Sequence, residues 1–182
     1  MRTERLLPAV FVAIAAVLFA ACGRVAQPQG WAAPVVADGT LYVTDATADA
    51  VRKYDATTGA SQGTFVPTFS GGLDTPRGLL FAPDGSLLVA SWANDSVKRY
   101  NGTTGAFLGT LVSTGSGGLV RPTDLELGPD GSLLVVSSST KQILQYDLTT
   151  GAFRKVWAQG GSPVFLDSPS CVVRREQIGK AQ

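Results

Sequence analysis

Arg77, Trp92, Asn94, Asp95 and Asp124 are the side chains of this sequence best suited to hold a ligand. Most of them fall where an otherwise regular internal repeat changes its residue. Trp92 stands where the other copies have Ala46 and Ser138, Asn94 where they have Ala48 and Thr140, and Asp124 where they have Gly78 and Cys171. Arg77 and Arg121 sit beside strand starts, with Asp74 in the preceding loop. The chemistry expected of this group is binding. The competing reading is structural: Asp124 pairs with a nearby arginine or backbone amide, and Trp92 covers a seam. No catalytic residue is expected. The chain has no histidine, which removes Ser-His-Asp and Cys-His catalysis and the commonest transition-metal ligand. Ser137, Ser138 and Ser139 have no recognisable base to activate them. Asp45 and Asp49 place two carboxylates four residues apart, short of the ligand count of a calcium loop, and read as a solvated turn.

Holding such a group in place requires a frame, and the composition allows one. The 182 residues carry a net charge of +1, are 45% hydrophobic and only 16% charged, against about 25% charged in an average protein. That is ample for a packed core and excludes charge-driven disorder. It also lacks the basic patch that a nucleic-acid binder needs, so no nucleic-acid partner is expected. The 21 glycines and 10 prolines, many in recurring positions, indicate a turn-rich β protein.

The N-terminus reads as an address. Arg2 and Arg5 precede an apolar run from Leu6 to Ala21, closed by small residues before Cys22. These are the three parts of a secretory signal peptide. The run is 16 residues long and contains Pro8, short of the about 20 that span a bilayer; a retained membrane helix is the alternative. Phe19-Ala20-Ala21-Cys22-Gly23 resembles the lipobox of bacterial lipoproteins, with Phe19 in place of the preferred Leu, Val or Ile. The resemblance implies removal of residues 1–21, acylation of Cys22, and an extracytoplasmic protein anchored to the membrane of the cell envelope. Gly23 after the cysteine implies the outer membrane where the cell has one. Losing Arg2, Glu4 and Arg5 leaves 13 basic and 13 acidic residues, so neither an anionic polymer nor a membrane surface is an electrostatic partner. Cys171 is then the remaining cysteine and reads as a small buried hydrophobe between Ser170 and Val172.

After a tether over 22–31, self-similarity dominates. Asp38-Gly39-Thr40-Leu41 returns as Asp84-Gly85-Ser86-Leu87 and as Asp130-Gly131-Ser132-Leu133, 46 residues apart both times. Tyr54-Asp55, Tyr100-Asn101 and Tyr146-Asp147 keep the same spacing, as does Thr-Thr-Gly-Ala at 57–60, 103–106 and 149–152. Each copy resolves into four strands; in the second they are expected at Gly78–Ala82, Leu87–Ser91, Ser96–Tyr100 and Ala106–Val112. Four antiparallel strands per repeat of this length make a β-propeller blade, whose two apolar faces stay wet unless a neighbour packs on each.

At these motifs the chain resembles the NHL-type repeat propellers of bacteria, in the wider group of streptogramin lyase and gluconolactonase-like propellers. The resemblance covers residues 32–174 and implies an all-β fold, a partial propeller. Its blades are 32–66, 77–112 and 123–158; a fourth begins at 169–174 and gives way to a polar tail over 175–182. Propellers close with about 4–8 blades. The expectation is therefore a truncated copy of a longer propeller, two chains completing a six-bladed ring, or a capped monomeric arc. Lyases of this resemblance use histidine, absent here; lactonases hold a divalent cation with glutamate, asparagine and aspartate, and this chain has no glutamate between Glu4 and Glu126.

The function expected is thus an exported, lipid-anchored, non-catalytic propeller module that binds a protein or small ligand, without cofactor. The alternative is a lactonase- or lyase-type enzyme with a divalent cation, inactive as a fragment or completed by dimerisation.

Overall fold

A computed structural model describes residues 39–160. The expected signal peptide, Cys22, the tether, the partial fourth blade with Cys171, and the polar tail lie outside these residues.

The described chain is eleven strands in three antiparallel sheets, each a simple meander. The first sheet holds β1 (Thr40–Asp45), β2 (Ala50–Asp55) and β3 (Ser61–Val66). The second holds β4 (Pro76–Phe81), β5 (Ser86–Ser91), β6 (Ser96–Asn101) and β7 (Phe107–Val112). The third holds β8 (Pro122–Leu127), β9 (Leu133–Ser137), β10 (Gln142–Tyr146) and β11 (Phe153–Gln159). The three sheets are blades of a partial, unclosed propeller, as the repeat requires. The segment 46 residues upstream of β4, where the repeat leads one to expect an inner strand of the first blade, lies outside the described residues. β4 begins at Pro76, two residues earlier than expected; the other strands of its blade agree within a residue.

The blade sequence explains the stack. In β5 the side chains alternate between two faces, and both are apolar. Leu87 and Val89 join Tyr100 against Val51, Phe65, Val66 and Leu73, the seam between blades one and two. Leu88 and Ala90 join Val97 against Leu125, Leu133, Val135, Leu144 and Tyr146, the seam between blades two and three. A middle strand buried on both faces reads as an unbroken apolar run, Leu87-Leu88-Val89-Ala90. The first blade shows the consequence of having no preceding partner among the described residues. Leu41 and Val43 are 54% and 39% exposed, whereas Leu87, Val89, Leu133 and Val135, at the same places in later blades, are fully buried.

Two repeated bonds tie neighbours together. Tyr100 donates its hydroxyl to the Ser70 carbonyl at 2.8 Å, and Tyr146 to Ser116 at 2.7 Å. Each carbonyl lies in a short 3₁₀ turn, Ser70–Gly72 or Ser116–Gly118, in the connection between blades. The second tie is a carboxylate. Asp49 accepts the Thr75 amide at 2.7 Å and Asp95 accepts the Arg121 amide, also at 2.7 Å. The third copy has Lys141 at this position. Outer strands are bulged at equivalent registers in all three blades, which increases their twist.

Inner strands β4 and β8 lie side by side. Gly78 is the point of closest approach: a Cβ there would stand 2.6 Å from the Asp124 Cα. Its equivalence to Asp124 in the repeat is therefore an alternation of absent and present side chain where two backbones nearly touch.

Candidate functional site

The loops between second and third strands, and those leading from an outer strand into the next blade, share one face. The Asp-Gly and Thr-Thr-Gly hairpins occupy the other. The five expected residues all belong to the first face or to the strand beginning beneath it, and the structure divides them into two groups.

Arg77 and Trp92 come together. The Arg77 guanidinium carbon lies 5.7 Å from the centroid of the Trp92 ring. Arg121 lies over the same ring at 4.7 Å. Trp92 is half-buried and both arginines are exposed. Both guanidiniums are thus within cation–π distance of one indole, an interaction that draws each cation toward the ring. Neither guanidinium meets a carboxylate among the described residues. Trp92 reaches this position because the β5–β6 turn is pinned from below: its amide donates to the Thr75 carbonyl at 3.3 Å, and the next amide, of Ala93, to Asp74 at 3.4 Å.

Asn94 and Asp95 bond the frame, and Asp124 lies apart from the tryptophan group. Asn94 donates its amide to the Gly72 carbonyl at 2.6 Å and accepts from the Ser96 hydroxyl at 2.7 Å. Asp95 holds a left-handed backbone, φ 53°, and uses its carboxylate on the Arg121 amide. By fixing that amide it also places Arg121 over the tryptophan. Asp124 is buried where β8 passes Gly78. Asp74 accepts the hydroxyl of Thr75 at 3.0 Å.

Arg121 was named in the sequence only as a neighbour of a strand start. The signal that singles it out is the repeat: Arg121 corresponds to Thr75, Arg77 to Thr123, and Trp92 to Ala46 and Ser138. Three departures from the repeat, far apart in the chain, meet at one place.

The opposite face carries a shallow groove of about 370 Å³ lined by Asp84, Gly85, Ser86, Arg99, Asn101 and Leu108. Its charges are spent internally. Arg99 pairs with Asp84, donates to Ser86 Oγ at 3.1 Å and reaches the Thr149 carbonyl at 3.3 Å. The hydroxyl of Ser86, then its amide, and then Arg99 hold the Asp84 carboxyl below its ordinary range. In the third blade Gln145 replaces Arg99, donating to Asp130 at 3.0 Å and Ser132 at 2.7 Å, and Arg154 bridges Asp130 and Asp147. No three Cys, Asp or Glu residues are grouped as metal ligands among the described residues.

No family model matches the sequence. No curated protein matches it either. Solved structures do share the fold. Hydrazine synthase of Kuenenia stuttgartiensis superposes with a TM-score of 0.51 at 20% identity, over 64% of this chain and 32% of that one. A catalytically inactive virginiamycin B lyase from Staphylococcus aureus, solved with quinupristin, gives 0.51 at 16% identity, over 69% of this chain and 39% of that one. The selenomethionine form of virginiamycin B lyase gives 0.50 at 16% identity, over 70% and 41%. The chain thus spans between a third and two-fifths of the solved structures it resembles. At these identities the likeness is one of β-propeller-like fold.

Proposed function

We propose that this chain is an exported, lipid-anchored propeller module that binds a ligand on its loop face and carries out no chemistry on it. The observation that supports binding is the meeting of Arg77, Trp92 and Arg121 on a face whose frame is otherwise repetitive. Loops positioned by a rigid scaffold are where recognition concentrates. The fold likeness to a lyase does not carry that enzyme's activity here, since propellers host unrelated functions. Anchoring rests on the lipobox-like residues around Cys22, and the cell envelope is the location it gives.

Two measurements test this reading. Incorporation of labelled fatty acid into the full chain is expected in a bacterial host and is lost in Cys22→Ser; incorporation by the variant refutes the anchor. For binding, Trp31→Phe and Trp157→Phe leave Trp92 as the sole indole. A panel of anionic, neutral and cationic small molecules and peptides should contain members that shift its emission, and a silent panel refutes the binding reading.

The same reading gives the exposed Leu41–Val43 face a partner: a second copy of this chain, two arcs completing a six-bladed ring. Later blades bury these positions against another blade, so a blade is the surface that fits. Light scattering on the full chain should give the mass of a dimer, reduced to that of a monomer by Leu41→Asp. A monomer at micromolar concentration refutes it.

A further inference from the structure

We infer that the Arg77–Trp92–Arg121 cluster is an oxyanion site, selecting ligands that carry carboxylate or phosphate groups. This deepens the binding reading above and rests on it.

The fold does not need these three residues. The first and third blades build the same turn with Ala46 and Ser138 in place of Trp92. The start of β4 that carries Arg77 has its counterpart in β8 with Thr123, and the connection that carries Arg121 has its counterpart with Thr75. The bonds that position the turns are made by backbone amides and by Asp49, Asp95, Ser91 and Ser137, which do repeat or nearly so. Removing the cluster would leave every one of those bonds in place.

What the cluster adds is directed positive charge. Both guanidinium carbons lie over one indole, at 5.7 and 4.7 Å from its centroid, so they are no more than about 10 Å apart. That is within the span of one di-acid or diphosphate held from both sides. Each guanidinium carries a planar fork of N–H donors, and that fork matches the paired oxygens of a carboxylate or phosphate. Both arginines are exposed and unpaired with carboxylates among the described residues. The nearest acids in sequence are otherwise engaged: Asp95 on the Arg121 amide and Asp74 on the Thr75 hydroxyl. Asp124 is buried at the β4–β8 contact. Among the described residues the other arginines are spent on aspartates: Arg52 on Asp45, Arg99 on Asp84 and Arg154 on Asp147.

The test uses the full chain with Trp92 as its sole indole, titrated at low ionic strength with inorganic phosphate, pyrophosphate and citrate, and with glucose and choline as neutral and cationic controls. At least one anion should shift Trp92 emission saturably, and neither control should. Arg77→Gln and Arg121→Gln should each weaken that binding about tenfold or more, the loss expected for one charge-assisted pair. Melting temperatures of both variants should stay at the parent value, which separates lost binding from lost folding. Pyrophosphate binding with citrate silent assigns the site to phosphates; the converse assigns it to carboxylates. Anions without effect while a control or another member of the wider panel shifts the emission would overturn the oxyanion assignment alone. A response to anions that both glutamine variants retain would overturn it too. Silence across the whole panel would overturn the parent reading with it.

Discussion

Replacing Gly59, Gly105 and Gly151 by alanine, one at a time, separates the energy of a left-handed residue from the energy of stacking one blade on the next. The three glycines end the Thr-Thr-Gly turn in successive blades, with φ of 71°, 73° and 72°. An alanine at any of them carries the penalty of an L-residue in the left-handed region, about 1–2 kcal/mol, offset by about 0.4–1 kcal/mol through the stiffer unfolded chain. There the equivalence ends. A Cβ at Gly59 would meet nothing within 4 Å. At Gly105 it would stand 2.0 Å from the Phe65 carbonyl oxygen of β3, and at Gly151 1.7 Å from that of Leu111 in β7. Ordinary contact begins at 3.4 Å, so the preceding blade must retreat by 1.4 Å in one case and 1.7 Å in the other. Overpacking of that kind costs about 1–3 kcal/mol more, and occasionally exceeds it. Gly59→Ala should therefore lose about 1 kcal/mol, and Gly105→Ala and Gly151→Ala about 2–4 kcal/mol. In thermal melts of the full chain these become drops of about 4 °C against about 8–16 °C. Equal losses at all three sites would refute the stacking, because only the neighbouring blade distinguishes them.

Four further outcomes follow from the same seams. Tyr146→Phe strands the Ser116 carbonyl and should destabilise the chain by about 1–2 kcal/mol in urea titration, with Tyr100→Phe matching it at Ser70. Burial raises both phenols above their ordinary value of 10.0. The unfolded chain then releases these protons first, so their contribution is intact below pH 10 and declines above it; the double phenylalanine variant should lack that alkaline decline. Lys98 is buried with Thr110 as its hydrogen-bond partner at 3.2 Å, and desolvation lowers its pKa. Lys98→Met should hold or raise the melting temperature at pH 7, and a marked fall would show that the ammonium is better satisfied than this. On the acid side, the Asp147 carboxyl is held well below its usual range by the Thr150 amide, then by Arg154 and the Thr150 hydroxyl. Stability it contributes is present above the usual carboxylate range and fades as pH falls below it, so Asp147→Asn should flatten the acid limb of a pH–melting curve.

Much of the architecture is legible in the sequence itself. The 46-residue spacing located Asp84-Gly85 and Asp130-Gly131 as hairpins, and the unbroken Leu87-Leu88-Val89-Ala90 run is that of a strand covered on both faces. The site was legible only in part. Arg77 and Trp92 stood out as breaks in the repeat, and they do meet. Asn94 and Asp95 looked equally available, yet Asn94 bonds the Gly72 carbonyl and the Ser96 hydroxyl, and Asp95 holds the Arg121 amide. Composition cannot show whether a polar side chain faces its own backbone or the solvent, because both outcomes use the same residue at the same turn.

What the sequence determined alone is whatever depends on short range: turn residues recur at fixed offsets, alternation assigns faces, and the recurring block sets the blade. What only the tertiary structure decided is which unlike residues come together across blades. Arg77, Trp92 and Arg121 are separated by 44 residues of chain end to end, and no local preference links them. They meet because stacked sheets bring the start of β4 and the connection into β8 over one turn, a distance set by side-chain packing in the seams below.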